Sequence, residues 1–192
     1  MLAAATFSSV RSSSRSARST ERALMAGLLP VLVPSHMQDP PERIRFADDH
    51  WVEPSGGHAV LEAGPSAIYL AMTLRNVGRG LAVLDRWDYV PEDAVWGGYR
   101  DPAVFRRLTR DIYVPAGDLG FWQGAFRDPD EPQFAEVRAA VARRRLVAVD
   151  LLYANNEGGQ RTISRFAITP EGDDAWVVTV ARHWRLDQAA PR

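Results

Sequence analysis

Hydrophobic and polar positions alternate with a period of two along much of this chain. The clearest stretch is Ile68 to Arg75, where Ile68, Leu70, Met72 and Leu74 alternate with Tyr69, Ala71, Thr73 and Arg75. Successive side chains of a strand point to opposite faces, so one face here is apolar and the other mixed. Trp176, Val178 and Val180 repeat the pattern near the C-terminus. Between breaks rich in Gly, Pro, Asn and Asp, strands are expected over 44–53, 58–63, 67–76, 81–90, 109–115, 121–126, 146–154, 161–169 and 175–186.

Two segments switch to helical character. "DPAVFRRL" offers Asp101 as an N-cap and Pro102 at the first helical position. "DEPQFAEVRAAVARRR" is expected to start at Asp130 or Glu131, with Phe134, Val137 and Val141 on one stripe and Arg143, Arg144 and Arg145 in the last turn. Many short strands with these insertions predict an all-β fold. The form expected is a two-layer antiparallel immunoglobulin-like β-sandwich with one or two short helical insertions, and a closed barrel is the alternative.

The domain is expected over residues 42–188, behind a disordered Arg/Ser-rich tail and a short apolar segment that together make up residues 1–41. Residues 1–22 carry four Arg and one Glu and too little apolar surface to offset the entropy of ordering. The apolar run Ala23–Val33 is broken by Gly27 and Pro30 and falls short of the roughly 20 residues that span a bilayer. Its length suits a signal-peptide core, an interfacial or docked segment, or the remnant of an anchor. Met25 and Met37 are alternative starts.

Composition removes several chemistries. All 23 basic residues are Arg and Cys is absent. The chain therefore has no Schiff-base or P-loop lysine, no thiol nucleophile, no disulfide and no Cys-bound metal. A net charge of −1 makes no electrostatic case for nucleic acid.

The stretch "LRNVGRGLAVLDRW" contains Gly78 and Gly80, but Val83 stands where a dinucleotide fingerprint needs a third glycine. The segment "LAVLDRW" after the glycines reads as a strand, so a turn with positive φ at Gly78 and Gly80 is expected. Together with "IYVPAGDLGFWQG", "LLYANNEGGQRTISRF" and "RHWRLD", this block resembles a family of uncharacterised bacterial proteins over about residues 42–187. The resemblance implies a β-rich C-terminal domain that lies, in the relatives, behind membrane-spanning segments. It implies no catalytic residues.

Candidate chemistry is sparse. His50 and His58 flank "EPSGG", and a hairpin there would face them toward each other, with Asp48 or Asp49 completing a metal site. Two solvent-facing histidines are the simpler reading. His183 reads as a polar strand residue, and Ser164 has no His near it in sequence. Asp85, Asp88, Asp128, Asp130, Asp173 and Asp174 read as turn carboxylates. Asp150 interrupts the apolar "LVAVDLLY", and an inward carboxylate there needs Arg75, Arg161 or Arg165. Of the six Trp, Trp96 in "WGGY" and Trp122 in "FWQG" sit in loop-like settings and are the first candidates for a binding surface.

The sequence thus points to a non-enzymatic interaction or accessory domain, cytoplasmic or membrane-associated, with a protein partner. It points to no catalytic residue, no resident metal and no cofactor. The alternatives are a small-ligand or carbohydrate-binding sandwich using Trp96 and Trp122, and a hydrolase with a scattered site or a metal-assisted one at His50 and His58.

Overall fold

A computed structural model describes residues 27–187. The expectations for residues 1–22 and for the start of the apolar run lie outside it. Strands β1 (Leu32–Pro34), β2 (Ile44–Arg45), β3 (Trp51–Val52), β4 (Ala59–Ala63), β5 (Ile68–Asn76), β6 (Ala82–Val90), β7 (Arg106–Val114), β8 (Leu119–Phe126), β9 (Val147–Ala154), β10 (Thr162–Glu171) and β11 (Ala175–Arg185) are joined by one α-helix, α1 (Pro132–Ala142). Among the described residues the fold is a mostly β antiparallel sandwich that includes this helix.

In the first sheet β5 is central. β8 runs along one edge of β5, and β4 and β1 lie end to end along the other, with Leu70 opposite Leu61 and Asn76 opposite Leu32. The second sheet has the order β11-β10-β9-β6-β7. One side of the sandwich is stitched by a bridge between His58 and Val177, with Val178 donating to the Gly57 carbonyl at 3.0 Å.

The period of two seen in the sequence fills the space between the sheets. Leu70, Met72 and Leu74 of β5 meet Val147, Val149, Leu151 and Tyr153 of β9 and Phe166 and Ile168 of β10 in one core. Trp87, Trp122 and Phe126 pack edge-on within it, with ring centres 5.2 and 5.4 Å apart. Helix α1 contributes Phe134, Val137 and Ala140 to the same core. Each sheet also has a cover on its outer face. The β2–β3 hairpin sets Ile44, Phe46 and Val52 against Ala71. Residues 91–105, the connection from β6 to β7, lie across the second sheet and seat Val95 on Ala148 and Phe105 on Leu152 and Ile163.

Several expectations are corrected. The helix at "DPAVFRRL" shrinks to a single 3-10 turn, Pro102–Val104, which Asp101 caps by accepting from the Ala103 amide at 2.9 Å. Phe105 is extended because its ring buries on the sheet, and Arg106 and Arg107 then pair with Trp87 and Arg86 of β6. Helix α1 stops at Ala142, so the arginine run lies beyond its last turn. Arg144 has φ 48° and donates to the carbonyls of Glu171, Gly172 and Ala175.

The glycines at 78 and 80 do form a turn, but neither has positive φ. Their reason is contact: a Cβ would lie 2.3 Å from the Leu29 carbonyl oxygen at Gly78 and 1.8 Å from that of Leu28 at Gly80. Asn76 ties the same corner together. Its Oδ1 accepts from the amides of Val31 and Gly78, and its Nδ2 donates to the carbonyls of Gly80 and Val114.

Strand β1 lies before residue 42, where the domain was expected to begin, and belongs to the first sheet. Leu32 has no exposed surface, and its amide donates to the Tyr153 hydroxyl of the opposite sheet at 3.2 Å. Leu32→Ala should therefore lower unfolding stability by about 2–5 kcal/mol, the cost of a core leucine truncation. Urea denaturation measures it, and a change below about 1 kcal/mol would show that β1 is not part of the core.

Candidate functional site

The cover 91–105 is fixed by one side chain from beneath. On β9 and β10 the residues that face away from the core are Ala148, Asp150 and Leu152, and Ile163, Arg165 and Ala167; their neighbours in sequence fill the core. Asp150 and Arg165 are register partners and both are about 1% exposed. Arg165 Nε and Nη2 donate to the two Asp150 carboxylate oxygens at 2.7 Å each. Nη1 donates to the carbonyls of Ala94, Val95 and Gly97, and Nη2 also to that of Gly98.

A guanidinium has five N–H donors, and all five are used here. A buried ion pair recovers its desolvation cost only when its remaining donors and acceptors are satisfied. In this fold the cover's carbonyls do that work, which makes the ion pair and the cover interdependent. The indole of Trp184 lies 4.9 Å from the guanidinium, and Tyr99 packs edge-on against that indole at 5.5 Å. Beside them Arg100 donates to both oxygens of Asp88, which is opposite Asp150 in the register. Burial, with Asp150 adding its charge, raises the Asp88 pKa against the pull of Arg100.

Trp96 sits at the tip of this clamped segment. The carbonyls on either side of it, Val95 and Gly97, both accept from Arg165, yet its own side chain is 71% exposed. Tyr99 and Val104, at 41% and 55%, are exposed on the same segment. An exposed indole on a backbone already held rigid loses little entropy when a partner covers it, and Trp and Tyr dominate the energetics of such contacts. The arrangement presents an aromatic anchor.

The other candidates fare differently. Trp122, a candidate for the binding surface, has no exposed surface and lies in the core on β8, within the strand expected over 121–126. His50 stacks on Tyr69 at 3.9 Å and contacts Glu62 at 2.7 Å, whereas His58 contacts Glu171. Asp48 accepts from Tyr69 and Arg127, whose hydrogen bond holds its pKa down at about 2, and Asp49 pairs with Arg45. The histidines thus have separate partners. Among the described residues no group of three or more His, Cys, Asp or Glu side chains is placed to hold a metal ion. Arg75 and Arg161, the other arginines considered for Asp150, pair with Asp39 and Asp187. Asp88, read as a turn residue, is a buried strand residue.

The register also brings together what the sequence kept apart. Ser164 lies opposite His183 on β10 and β11, with Oγ to Nδ1 2.6 Å and Ser164 Oγ to the Tyr153 hydroxyl 2.8 Å. Ser164 has no exposed surface, and among the described residues no carboxylate orients His183, so the arrangement lacks the parts of a nucleophilic triad. It is a structural chain: the Leu32 amide donates to the Tyr153 hydroxyl, which is hydrogen-bonded to Ser164, and Ser164 in turn to His183. No known protein family, no curated protein and no solved structure matches this chain. No helix among the described residues is long and apolar enough to cross a membrane.

Burial and the charge of Arg185 lower the His183 pKa below its ordinary 6.5. The unfolded chain therefore binds the proton more readily than the fold, and stability rises with pH up to the unfolded value. The contribution of His183 should be complete above pH 6.5 and lost as pH falls through the depressed folded value. Melting temperatures across this range should show that slope in the wild type and a shallower one in His183→Gln. Equal slopes would contradict a His183 pKa lowered by burial.

Proposed function

We propose that this protein is a non-enzymatic interaction domain whose contact surface is the segment 91–105, with Trp96 as its anchor. The observation that carries this reading is the contrast at one residue: a largely exposed Trp on a backbone locked by a buried ion pair. Several neighbouring charges have structural work, Asp150 with Arg165 and Asp88 with Arg100, which favours binding over catalysis. The resemblance to proteins with membrane-spanning segments extends the proposal to an accessory role beside a membrane. Loss of Trp122 to the core leaves the paired-tryptophan ligand site without one of its members. The inaccessible Ser164 disfavours a hydrolase built on it.

A photoreactive benzoylphenylalanine placed at position 96 of the full chain, expressed in its native host, should give a discrete covalent adduct with one protein. The same group at Trp51, which is 47% exposed on the opposite cover, should not. Trp96→Ala should change stability by no more than about 0.5 kcal/mol and weaken capture of the adducted protein by roughly tenfold or more. Equal labelling from both positions, or none from position 96, would contradict the proposal.

A further inference from the structure

A trough opens on the outer face of the second sheet beside the far half of the same cover. It consists of two cavities of about 480 and 290 Å³ that share Asp85, Leu152 and Arg161. Leu152, 5% exposed, contributes an apolar floor. Tyr99 lines one cavity and Tyr113 the other, and both phenol rings are exposed. Strand β6 is bulged at Asp85, since its register shifts between Leu84 and Arg86 against both β7 and β9. Such bulges re-aim a side chain at a site, and Asp85 is the carboxylate common to both cavities.

We infer that this trough is a binding site for a neutral oligosaccharide. The chemistry around it is of three kinds. The tyrosine faces and the leucine floor suit the C–H faces of pyranose rings. Asp85 and Asp101 accept hydroxyl protons, while Arg161, fixed by both oxygens of Asp187, donates. The third feature is sign: of the described residues that line the trough, Asp85, Asp101 and Asp111 outnumber Arg86 and Arg161. Those two arginines are already paired, with Asp85 and with Asp187 beside the trough, an acidic balance that repels phosphates and uronic acids. An extended peptide is a poorer fit, because it pairs with an open strand edge, whereas this floor is the face of hydrogen-bonded strands. The trough shares Tyr99 and residues 101–103 with the covering segment, but Asp85, Tyr113 and Arg161 lie outside that segment and Trp96 does not line the trough, so substitutions at Trp96 and at Tyr113 test the two readings separately.

Isothermal titration of the full chain with maltotriose, cellotriose, xylotriose and triacetylchitotriose tests it, with trigalacturonate as the anionic control. At least one neutral trisaccharide should bind saturably and trigalacturonate should not. Tyr113→Ala and Asp85→Asn should each weaken that binding about tenfold at an unchanged melting temperature. The Tyr113 hydroxyl makes only a long contact to Asp111 among the described residues, so its loss should not disturb the fold. Absence of saturable binding by any neutral trisaccharide overturns the inference. Binding unaffected by both substitutions, or tighter binding of trigalacturonate, overturns it as well.

Discussion

A guanidinium with no water to solvate it governs the outer face of this protein. Arg165 is buried on the side of β10 that faces away from the core, where an uncovered sheet would expose it. Asp150 satisfies two of its donors, and the carbonyls of Ala94, Val95, Gly97 and Gly98 satisfy the rest. Removing either charge would leave the other desolvated and unpaired, a loss of about 3–5 kcal/mol in comparable settings. The covering segment therefore cannot lift away without breaking four of the six hydrogen bonds that Arg165 makes, and it keeps one shape despite having only single turns of 3-10 helix.

Both proposed surfaces follow from that constraint. The carbonyls flanking Trp96 hold the indole outward, and Tyr99, braced on Trp184, forms one end of the trough. The two covers differ in consequence. The β2–β3 hairpin is held on its sheet by Ile44, Phe46 and Val52 and by side-chain contacts at its tip, Asp48 with Tyr69 and Arg127 and His50 with Glu62. The 91–105 segment adds directed hydrogen bonds to its apolar anchors, Val95 and Phe105. Those bonds go to the backbone carbonyls on either side of Trp96, which fixes the main chain that displays it.

Much of the sandwich was legible because the core requires it. Alternation along 68–75 and at Trp176, Val178 and Val180 left no other way to bury one face of each strand. The charge at Asp150 inside an apolar run also announced an ion pair, but three arginines fitted equally well in sequence, and only the β9–β10 register selects Arg165. Ser164 and His183 were separated for the same reason, since cross-strand pairing is not written in local spacing. Trp122 misled because Gln123 and Gly124 beside it look like loop residues. Gly124 is in fact a close-packing position, where a Cβ would come within 2.6 Å of the Trp122 ring and 2.9 Å of the Trp87 ring. β1 was hidden by Pro30 and Pro34, and it pairs at an edge where proline is tolerated. The role of residues 91–105 had no local signal, because their partner is a side chain about 70 residues away.

The most direct test is amide hydrogen exchange on the wild type and on Arg165→Lys, which keeps the positive charge but offers three donors instead of five. The amides of Ala94, Val95, Gly97, Val104 and Phe105 are all hydrogen-bonded within the cover. They should lose protection by roughly tenfold or more in the variant, while β5 and β8 of the first sheet keep theirs. If the cover's amides exchange as slowly in the variant as in the wild type, the guanidinium does not hold it, and the rigidity of the Trp96 surface has another source.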